Sequence, residues 1–505
     1  MTARTARRWP ARGATLMCGA GLLAGLPVLG GCSVGPDFRH PAAPSTHFAQ
    51  AGRPAHTDST ADADGMAQTF NPGQDIPGQW WTLFHSPALD RLVRHALDHS
   101  PTLEAASLAL RVAQENRSAA VGALFPSISA SFNPARFKTS RVYSPVPNNN
   151  SWLYTVHTAQ LNISYQPDIW GGIRRGIESS SAQRDALRYQ LEAAYLTLTG
   201  EVVQAAVGYA SLRAQIDAVK DLTAAQQRIL DSSIRQQALG QLADADVAMQ
   251  RAQLAQDQAM LVPLQQQLQQ QHDHIAALTG DMPDDPTPDF TLDAFTLPQD
   301  LPVSLPVRLI DQRPDIKVAE ANWHAACAQV GVAVANRLPN IQLSAQPGVA
   351  AATIAQLFTP GYGQWMLAGM LSQPLFQGGQ LLHEERAARA AYKESAAQYR
   401  AAVVTAVQDV TDSLNAVRAD ASALAANADA EKAAARSLGI THARLGLGDV
   451  SQVALLTAQQ TELQARLALV QARAARLSDT AGLFQALGGG WWNRQDIPSG
   501  KKRSG

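Results

Sequence analysis

The chain has 505 residues, of which 46% are hydrophobic, 6% aromatic and 16% charged. Many Ala and Gln residues with few aromatic ones favour long helices with narrow apolar seams over one thick globular core. The formal charge is −1, and loss of the four arginines in the first twelve residues lowers it to −5. A mildly acidic chain is a poor fit for nucleic acid as a partner.

The first 31 residues have the pattern of a secretory signal peptide. Arg4 to Arg12 form a positive region, and Ala14 to Leu29 form an apolar stretch of about 16 residues, too short for a comfortable membrane span. The stretch ends in Leu-Gly-Gly-Cys, which resembles a bacterial lipobox, so we expect lipidation of Cys32. Ser33 follows, and by resemblance to enterobacterial lipoprotein sorting the lack of Asp at this position favours transfer to the outer membrane. An ordinary signal peptide or an uncleaved anchor helix is the alternative.

Residues 32–78 are rich in Pro, Ala and Asp and show no periodicity, which predicts a tether between the lipid and the folded chain. Cys18 lies in the leader and Cys327 stands alone in a helical stretch, so no disulfide framework is expected. Beyond the first thirty residues, no apolar run reaches about 18 residues. Any membrane crossing would therefore use β-strands or an attached lipid.

An internal duplication organises the rest of the chain. Residues 79–280 form a first repeat and 305–488 a second, joined by a linker at 281–304 and followed by a flexible tail at 489–505. Four landmarks of the first repeat recur in the same order in the second: 100–106 as 313–319, 124–128 as 337–341, 166–172 as 373–379, and Leu239-Gly240 as Leu445-Gly446.

Each repeat predicts a short helix, a strand pair and a long helical hairpin. The short helices are expected at 89–122 and 305–336. The strand pairs at 126–166 and 339–374 alternate polar and apolar residues, as strands with one wet face do. The hairpins at 172–280 and 379–487 each open with a helix of about 67 residues, roughly 100 Å long, expected at 173–239 and 379–445. Apolar residues recur there at three- and four-residue steps, as in a helix with one apolar seam. We expect Pro263 to kink or break the first returning helix.

Four strands are too few to close a barrel, and an open sheet in lipid would leave backbone groups unsatisfied. The chain is therefore expected to oligomerise. Two copies would supply eight strands with little lumen, and three would supply twelve strands and a possible pore. Periodicity alone does not choose between these two assemblies.

The lipobox is followed by Val34-Gly35-Pro36-Asp37-Phe38, then by Trp80-Trp81, Pro-x-x-x-Gly-Gly after each strand pair, and Leu-Gly at the hairpin reversals. In this order the motifs resemble the TolC-like family of lipidated outer-membrane factors. The resemblance implies a mainly α-helical homotrimer with a twelve-stranded outer-membrane β-barrel, four strands per protomer, and a periplasmic α-barrel. It also implies that the chain is the exit duct of a tripartite efflux pump, docked on a periplasmic adaptor and an inner-membrane pump.

The same resemblance assigns roles to particular residues. The adaptor-docking tips would be Leu239, Gly240, Gln241, Leu242, Leu445, Gly446, Leu447 and Gly448. The strand-to-helix turns would use Pro167, Gly171, Gly172, Pro374, Gly378 and Gly379. A cation-binding acidic entrance would involve Asp244 and Asp246. The second repeat departs from that pattern, because Gln452 and Leu455 occupy the matching positions and the nearest carboxylate is Asp449. Ordinary helix N-terminal Asp residues are the alternative.

No constellation in the sequence supports catalysis, a metal site or a cofactor. His272 and His274 flank Asp273 on a Gln-rich helix, and Cys327 lies near His324 without a third group to orient it. Two other functions stay open: a type I protein-secretion outlet, and a lipid-anchored helical scaffold without a pore.

Overall fold

The computed structural model of the protein describes residues 33–41, 55–140, 153–286, 288–303 and 311–494. The predicted signal peptide and Cys32 lie outside the described residues. The described parts of 1–35, 126–174 and 334–375 form one compact unit, which we call the strand unit. The described parts of 36–125, 175–333 and 376–505 form a second, which we call the helical unit.

The described elements are numbered in chain order. The strands are β1 (Thr69–Pro72), β2 (Ser127–Lys138), β3 (Leu153–Tyr165), β4 (Asp300–Val303), β5 (Asn340–Ala345), β6 (Gly348–Ala351), β7 (Gly363–Gln364) and β8 (Leu367–Ser372). The α-helices are α1 (Pro87–His99), α2 (Pro101–Gly122), α3 (Gly172–Ala238), α4 (Asp244–Thr279), α5 (Pro314–Ala335), α6 (Gln380–Gly446) and α7 (Gln452–Ala486).

The strand unit holds one antiparallel sheet. β2 pairs with β3 along its whole length, β3 pairs on its other side with β5 and β6, and these pair with β8 and β7. The first predicted strand pair is confirmed, and it extends further into the hairpin than the alternation indicated. In the second pair the assigned strands are interrupted near Pro347, which has no N–H to donate.

The sheet keeps one register across this interruption. Ala345 lies opposite Ile163 and Gly348 opposite Gln160, so no residue is gained or lost between β5 and β6. The amides of Gln346 and Met366 donate to each other's carbonyls at 2.8 and 3.2 Å, which continues the pairing between β5–β6 and β7–β8. The second predicted strand pair is therefore present as two broken but continuous strands.

The helical unit repeats its element lengths. α2 and α5 have 22 residues each, α3 and α6 have 67 each, and α4 and α7 have 36 and 35. These lengths agree with the predicted duplication, and each long helix starts and ends within one residue of its predicted bounds. At 1.5 Å per residue the two longest helices each extend roughly 100 Å.

Two helix predictions need correction, each at a proline. The helix expected at 89–122 is two helices, because Pro101 begins α2 and Ser100 before it is extended. The helix expected from 305 appears as α5 from Pro314, with residues 304–310 outside the described part. Pro263 was expected to kink or break α4; the helix continues through it without a break, and the kink stays a prediction. The position of Pro263 is exposed, so water can bond the carbonyl that loses its partner.

The predicted tether is wrong for its second half, because residues 55–78 are folded. β1 pairs in parallel with β4 of the predicted linker. The fully buried Arg476 of α7 donates to Thr57 Oγ1 at 3.2 Å and to the Met66 carbonyl at 2.7 Å. These bonds satisfy polar groups that a loose segment would leave to water.

The predicted flexible tail is also ordered through Arg494. Trp491–Asn493 form a short 3-10 helix, and the Trp492 indole donates to Asp75 at 2.9 Å. This contact lies beside the main core of the unit, where the buried Trp80 ring stacks on Phe484 with centroids 5.6 Å apart. No described helix combines the length and the apolar character needed to cross a membrane.

Candidate functional site

Both helical hairpins reverse through the same turn. At the first tip, Gly240 has a φ of +74°, and the amide of Gln241 donates to the Gln236 carbonyl at 2.9 Å. At the second, Gly448 has a φ of +75°, and the Asp449 amide donates to the Arg444 carbonyl at 3.1 Å. This is the bonding of a Schellman motif, which places a left-handed residue, usually Gly, directly after the helix.

The two turns correct the sequence alignment of the tips. The sequence pairs Leu239-Gly240 with Leu445-Gly446, but α6 continues through Gly446. The structural counterpart of Gly240 is Gly448, because only Gly448 in the second turn takes a positive φ. Leu-Gly occurs twice in Leu445–Gly448. The sequence alone could not decide which of the two pairs corresponds to Leu239-Gly240.

The tips present matching apolar side chains. Leu239 is 73% exposed and Leu447 is 83% exposed, each directly before the turn glycine. Leu242, by contrast, packs inward against Leu230 and Val247. The tips therefore offer one exposed leucine per hairpin, and the remaining turn residues form the frame that holds it.

The candidate entrance residues lie at the helix starts that follow the tips. Asp244 and Asp246 are in the first turn of α4, and Asp244 accepts a hydrogen bond from the Gln237 side chain. In the second repeat Gln452 begins α7, and Asp449 pairs with Arg444 at 2.8 Å. The first-turn Asp residues fit the helix dipole, which is the simpler interpretation of them.

A groove of about 1160 Å³ lies between the two hairpin ends. Asp246 and Gln452 line it, together with Arg228, His442 and Glu462. The structure thus brings one entrance residue from each repeat to a common groove. In the described part of the chain, no group of His, Cys, Asp or Glu has the arrangement of a metal site.

The first strand-to-helix turn is held by Asp168. Its carboxylate accepts from the amides of Ile173 and Arg174, both at 2.9 Å, and so caps the start of α3. Gly171 has a φ of +76° and lies against Ser33, so that a Cβ at this position would come within 2.8 Å of the Ser33 backbone. The amide of Val34 also donates to the Trp170 carbonyl at 3.1 Å.

The second strand-to-helix turn uses two left-handed glycines and no side-chain cap. Gly378 and Gly379 have φ values of +59° and +87°, and Gly379 precedes α6 with no side-chain hydrogen bond. Leu375 stands where Asp168 stands in the first repeat and is 92% exposed. Both Gly-Gly pairs thus contribute at least one left-handed residue, as their spacing after the strands indicates.

Residues 37–40, which belong to the helical unit, contact its helices closely, which sequence reasoning missed. Asp37 pairs with the buried Arg175 at 2.6 Å, and Phe38 stacks on His324 with centroids 4.4 Å apart. His40 bonds Glu320 at 2.5 Å. The signal was the Val-Gly-Pro-Asp-Phe run, which was interpreted only as a family signature and not as a set of contacts.

The residues considered as possible catalytic or metal-binding groups, at 324–327 and 272–274, make ordinary structural contacts. His324 bonds Glu178 at 2.9 Å and does not orient Cys327. The Cys327 thiol donates to the Pro36 carbonyl at 3.5 Å, and burial raises its pKa, which disfavours the reactive thiolate. His272 contacts only Asp273, at 3.4 Å, among the hydrogen bonds described.

The sheet has one apolar and one polar face. The apolar face carries residues that lie opposite one another in the register, and many are exposed: Ile128, Phe132, Leu161, Leu343, Trp365, Leu367 and Leu371. From Ile341 to Val349 this band extends about 26 Å along the strands. The polar face is hydrogen-bonded across strands, with Asn162 donating to Ser131 at 3.0 Å and Gln342 to Ser164 at 3.2 Å.

A sheet with an exposed apolar band of this height, joined in sequence to duplicated hairpins of 67-residue helices, defines a class of outer-membrane channel proteins. The profile of the family described as outer membrane efflux protein matches residues 92–281 and 305–489. The chain belongs to this family, whose members are channel proteins of the outer membrane that extend into the periplasm.

Individual relatives align with this chain over most of its length. The pyoverdine export outer membrane protein OpmQ of Pseudomonas aeruginosa is 30% identical over 417 residues, 82% of this chain and 87% of the relative. The toluene efflux pump outer membrane protein TtgC of Pseudomonas putida is 26% identical over 469 residues, 92% of this chain and 94% of the relative.

Solved structures support the same fold. The outer membrane protein VceC of Vibrio cholerae superposes with a TM-score of 0.75 at 27% identity and covers 82% of this chain and 100% of that structure. The CmeC outer membrane channel of Campylobacter jejuni superposes with a TM-score of 0.81 at 21% identity, with 92% and 96% covered.

Proposed function

We propose that three copies of this chain form the exit duct of a tripartite efflux pump that exports small toxic molecules. Four strands from each protomer close a twelve-stranded barrel in the outer membrane, and the helical hairpins line a periplasmic tunnel. An adaptor protein joins the tunnel to an inner-membrane pump. The relatives named for toluene efflux and pyoverdine export favour small molecules over a secreted protein as cargo.

The open edges of the sheet carry the proposal of an oligomeric barrel. In the described residues, β2 pairs only with β3, and β7 and β8 pair only with β6 and β5. Each unpaired backbone group costs several kcal/mol in lipid. A second and third copy that pair edge to edge would satisfy these groups, and the polar face would then line a wet lumen.

The exposed tip leucines support the docking part of the proposal. Leu239 and Leu447 are exposed at equivalent turns, and a contact surface needs side chains that are not used internally. In the proposed adaptor-docking tips, residues 239–242 and 445–448, Leu239 and Leu447 make the contact. The other turn residues, including the inward-packed Leu242, hold these two leucines in place. Asp246, Gln452 and their groove lie next to this surface and form the proposed entrance.

Lipidation of Cys32 completes the proposal. The described chain begins at Ser33, which packs on Gly171 at the turn that follows β3. Acyl chains on the preceding residue would thus start beside one end of the sheet, where a membrane anchor can act together with the strands. Mass spectrometry of the purified amino-terminal peptide tests this part: an unmodified Cys32 or an uncleaved leader would contradict it.

Planar-bilayer conductance with native mass spectrometry tests the duct itself. We expect the purified mature protein to have three times the protomer mass and to give discrete, cation-preferring channels. A monomer without conductance contradicts the channel and leaves the lipid-anchored scaffold as the function. The protein could also be a conducting trimer whose gene, when deleted, stops export of a protein but not of small compounds. That result would favour a type I secretion outlet.

A further inference from the structure

The charges of the strand unit are distributed very unevenly. Between Pro126 and Pro167 the sequence has three fixed cations, Arg136, Lys138 and Arg141, and no Asp or Glu. From 339 to 374 it has no charged residue at all. All three cations fall within six residues at the hairpin end of the first strand pair, with Arg141 outside the described residues.

The register places Arg136 and Lys138 on the apolar face of the sheet. β2 pairs with β3 without a bulge from Ser127 to Lys138, so residues 128, 130, 132, 134, 136 and 138 share one face. Arg136 and Lys138 are exposed and follow Phe132, the last large apolar residue of the band on this strand. On β2 the band therefore ends in two cations at the hairpin end, and Leu153 of β3 lies opposite Lys138 on the same face.

These cations have no carboxylate partner among the described residues. No ion pair there involves Arg136 or Lys138, and the hairpin segment outside the described part contributes no acidic residue by sequence. Cations at the edge of an apolar belt can extend their long side chains towards the polar layer of a membrane. Phosphate is the anion available in that layer, and Arg and Lys bind it by charge-assisted hydrogen bonds.

We propose that Arg136 and Lys138 bind the phosphate groups of membrane lipid headgroups at the hairpin end of the sheet. The contact sets the depth of the barrel, because it marks where the apolar band of β2 ends. The inference rests on the proposed function, since it requires the sheet to lie in a membrane with its apolar face towards lipid.

Placement of Arg136 and Lys138 on the lumen side of the sheet predicts a different result. If the two cations faced the lumen they would bind anionic solutes near the exit and would affect ion selectivity. The register argues against this, because the residue between them, Phe137, stacks on Tyr154 on the other face with centroids 5.4 Å apart. Ion selectivity can therefore separate the two placements.

The test compares the double variant R136Q/K138Q with wild type and with R111Q/R251Q, which removes two exposed arginines from α2 and α4. Each detergent-purified protein is titrated with a bis-phosphorylated glycolipid and with its dephosphorylated form, and bound lipid is counted by native mass spectrometry. We expect R136Q/K138Q to bind the phosphorylated lipid about 30-fold more weakly, from the effect of two basic residues near an anionic surface. R111Q/R251Q should bind as wild type does.

The reversal potential in a salt gradient is measured on the same samples, and we expect no change in R136Q/K138Q. Equal affinity of R136Q/K138Q and wild type, or equal binding of the dephosphorylated lipid, overturns the inference. A shift of reversal potential in R136Q/K138Q places the cations in the lumen and also overturns it. If the wild-type protein gives no current but still binds the lipid in a phosphate-dependent way, the proposed channel is overturned instead.

Discussion

Gly446 and Gly448 lie two residues apart and do different things. Gly446 is the last residue of α6, where any residue fits the helical conformation. Gly448 has a φ of +75° and lets the chain turn back towards α7. A Cβ added to either glycine would meet no atom within 4 Å, so only backbone conformation distinguishes them.

This difference predicts opposite effects of the same substitution. G448A should lower the free energy of unfolding by about 1 kcal/mol, because a residue with a Cβ is strained in the left-handed region. G446A should raise it by about 0.5 kcal/mol, because Ala loses less chain entropy than Gly in a helix. Thermal unfolding followed by circular dichroism gives the order, and a G448A protein as stable as G446A would refute the turn assignment.

Asp420 of α6 and Asp479 of α7 form an acidic pair inside the helical unit. Burial, above all, raises the pKa of Asp420 from its ordinary 3.8 to about 7, and the hydrogen bond and charge of Asp479 add to this effect. The folded state therefore holds a proton that the unfolded state releases between pH 4 and 7. Stability from this group is present at low pH and is lost as the pH rises towards 7.

The variant D420N should remove this pH dependence, because its amide has the shape of the carboxyl group and stays neutral. We expect its melting temperature to exceed that of wild type by about 2–4 °C at pH 8 and to match it near pH 4. Melting curves across this range make the comparison. Parallel profiles for the two proteins would show that Asp420 does not hold the proton.

At the scale of the element, the strands of this sheet differ from the amphipathic strands of a soluble protein, because their apolar face is the exposed one. In a soluble protein the apolar face packs on a core, whereas here Leu161, Leu367 and Leu371 are exposed. The polar face instead holds the hydrogen-bonded side chains. A sheet of this kind is stable only where lipid covers the apolar face.

Neighbouring residues on β3 test that assignment. L161R places a charge on the apolar face and should cost roughly 2–4 kcal/mol near the membrane midplane, so little folded protein should reach the outer membrane. Q160R places the same side chain on the polar face and should assemble while lowering the preference for cations. Heat-modifiable mobility of the outer-membrane fraction reports assembly. Equal assembly of the two variants would contradict the predicted faces.

At the scale of the whole molecule, the proposed export function requires both a pore and a docked adaptor, and we propose that different parts of the chain supply them. The strand unit contains the sheet, and the helical unit contains both tips. A defect at the tips should therefore leave the purified channel intact while it stops export in the cell.

The variant L239D/L447D tests this separation. In a deletion strain of the native host, the wild-type gene should restore tolerance to some compounds of a toxic-compound panel. We expect L239D/L447D to leave tolerance to those same compounds at the deletion level while bilayer conductance is unchanged. M282D, at another exposed apolar position in the helical unit, serves as the control. Full tolerance with L239D/L447D would remove the tips from the docking surface.

Features that depend on neighbouring residues could be predicted from the sequence. The alternation in 127–132 and 158–165 predicted strands, and the unbroken three- and four-residue spacing of apolar residues predicted helices of about 67 residues with bounds correct to one residue. The duplication and the strand-to-helix glycines followed from spacing as well. Each of these signals is local, because backbone conformation is governed by side-chain period, Gly and Pro.

Features that depend on contacts between distant residues became visible in the folded chain. The structure showed that residues 55–78 pack on α7 through Arg476, and that Gly448, not Gly446, makes the second tip. It also placed Arg136 and Lys138 on the apolar face, through a register shared with β3. Composition could not reveal these features, because a Pro- and Asp-rich segment resembles a tether until its partners come from hundreds of residues away in the chain.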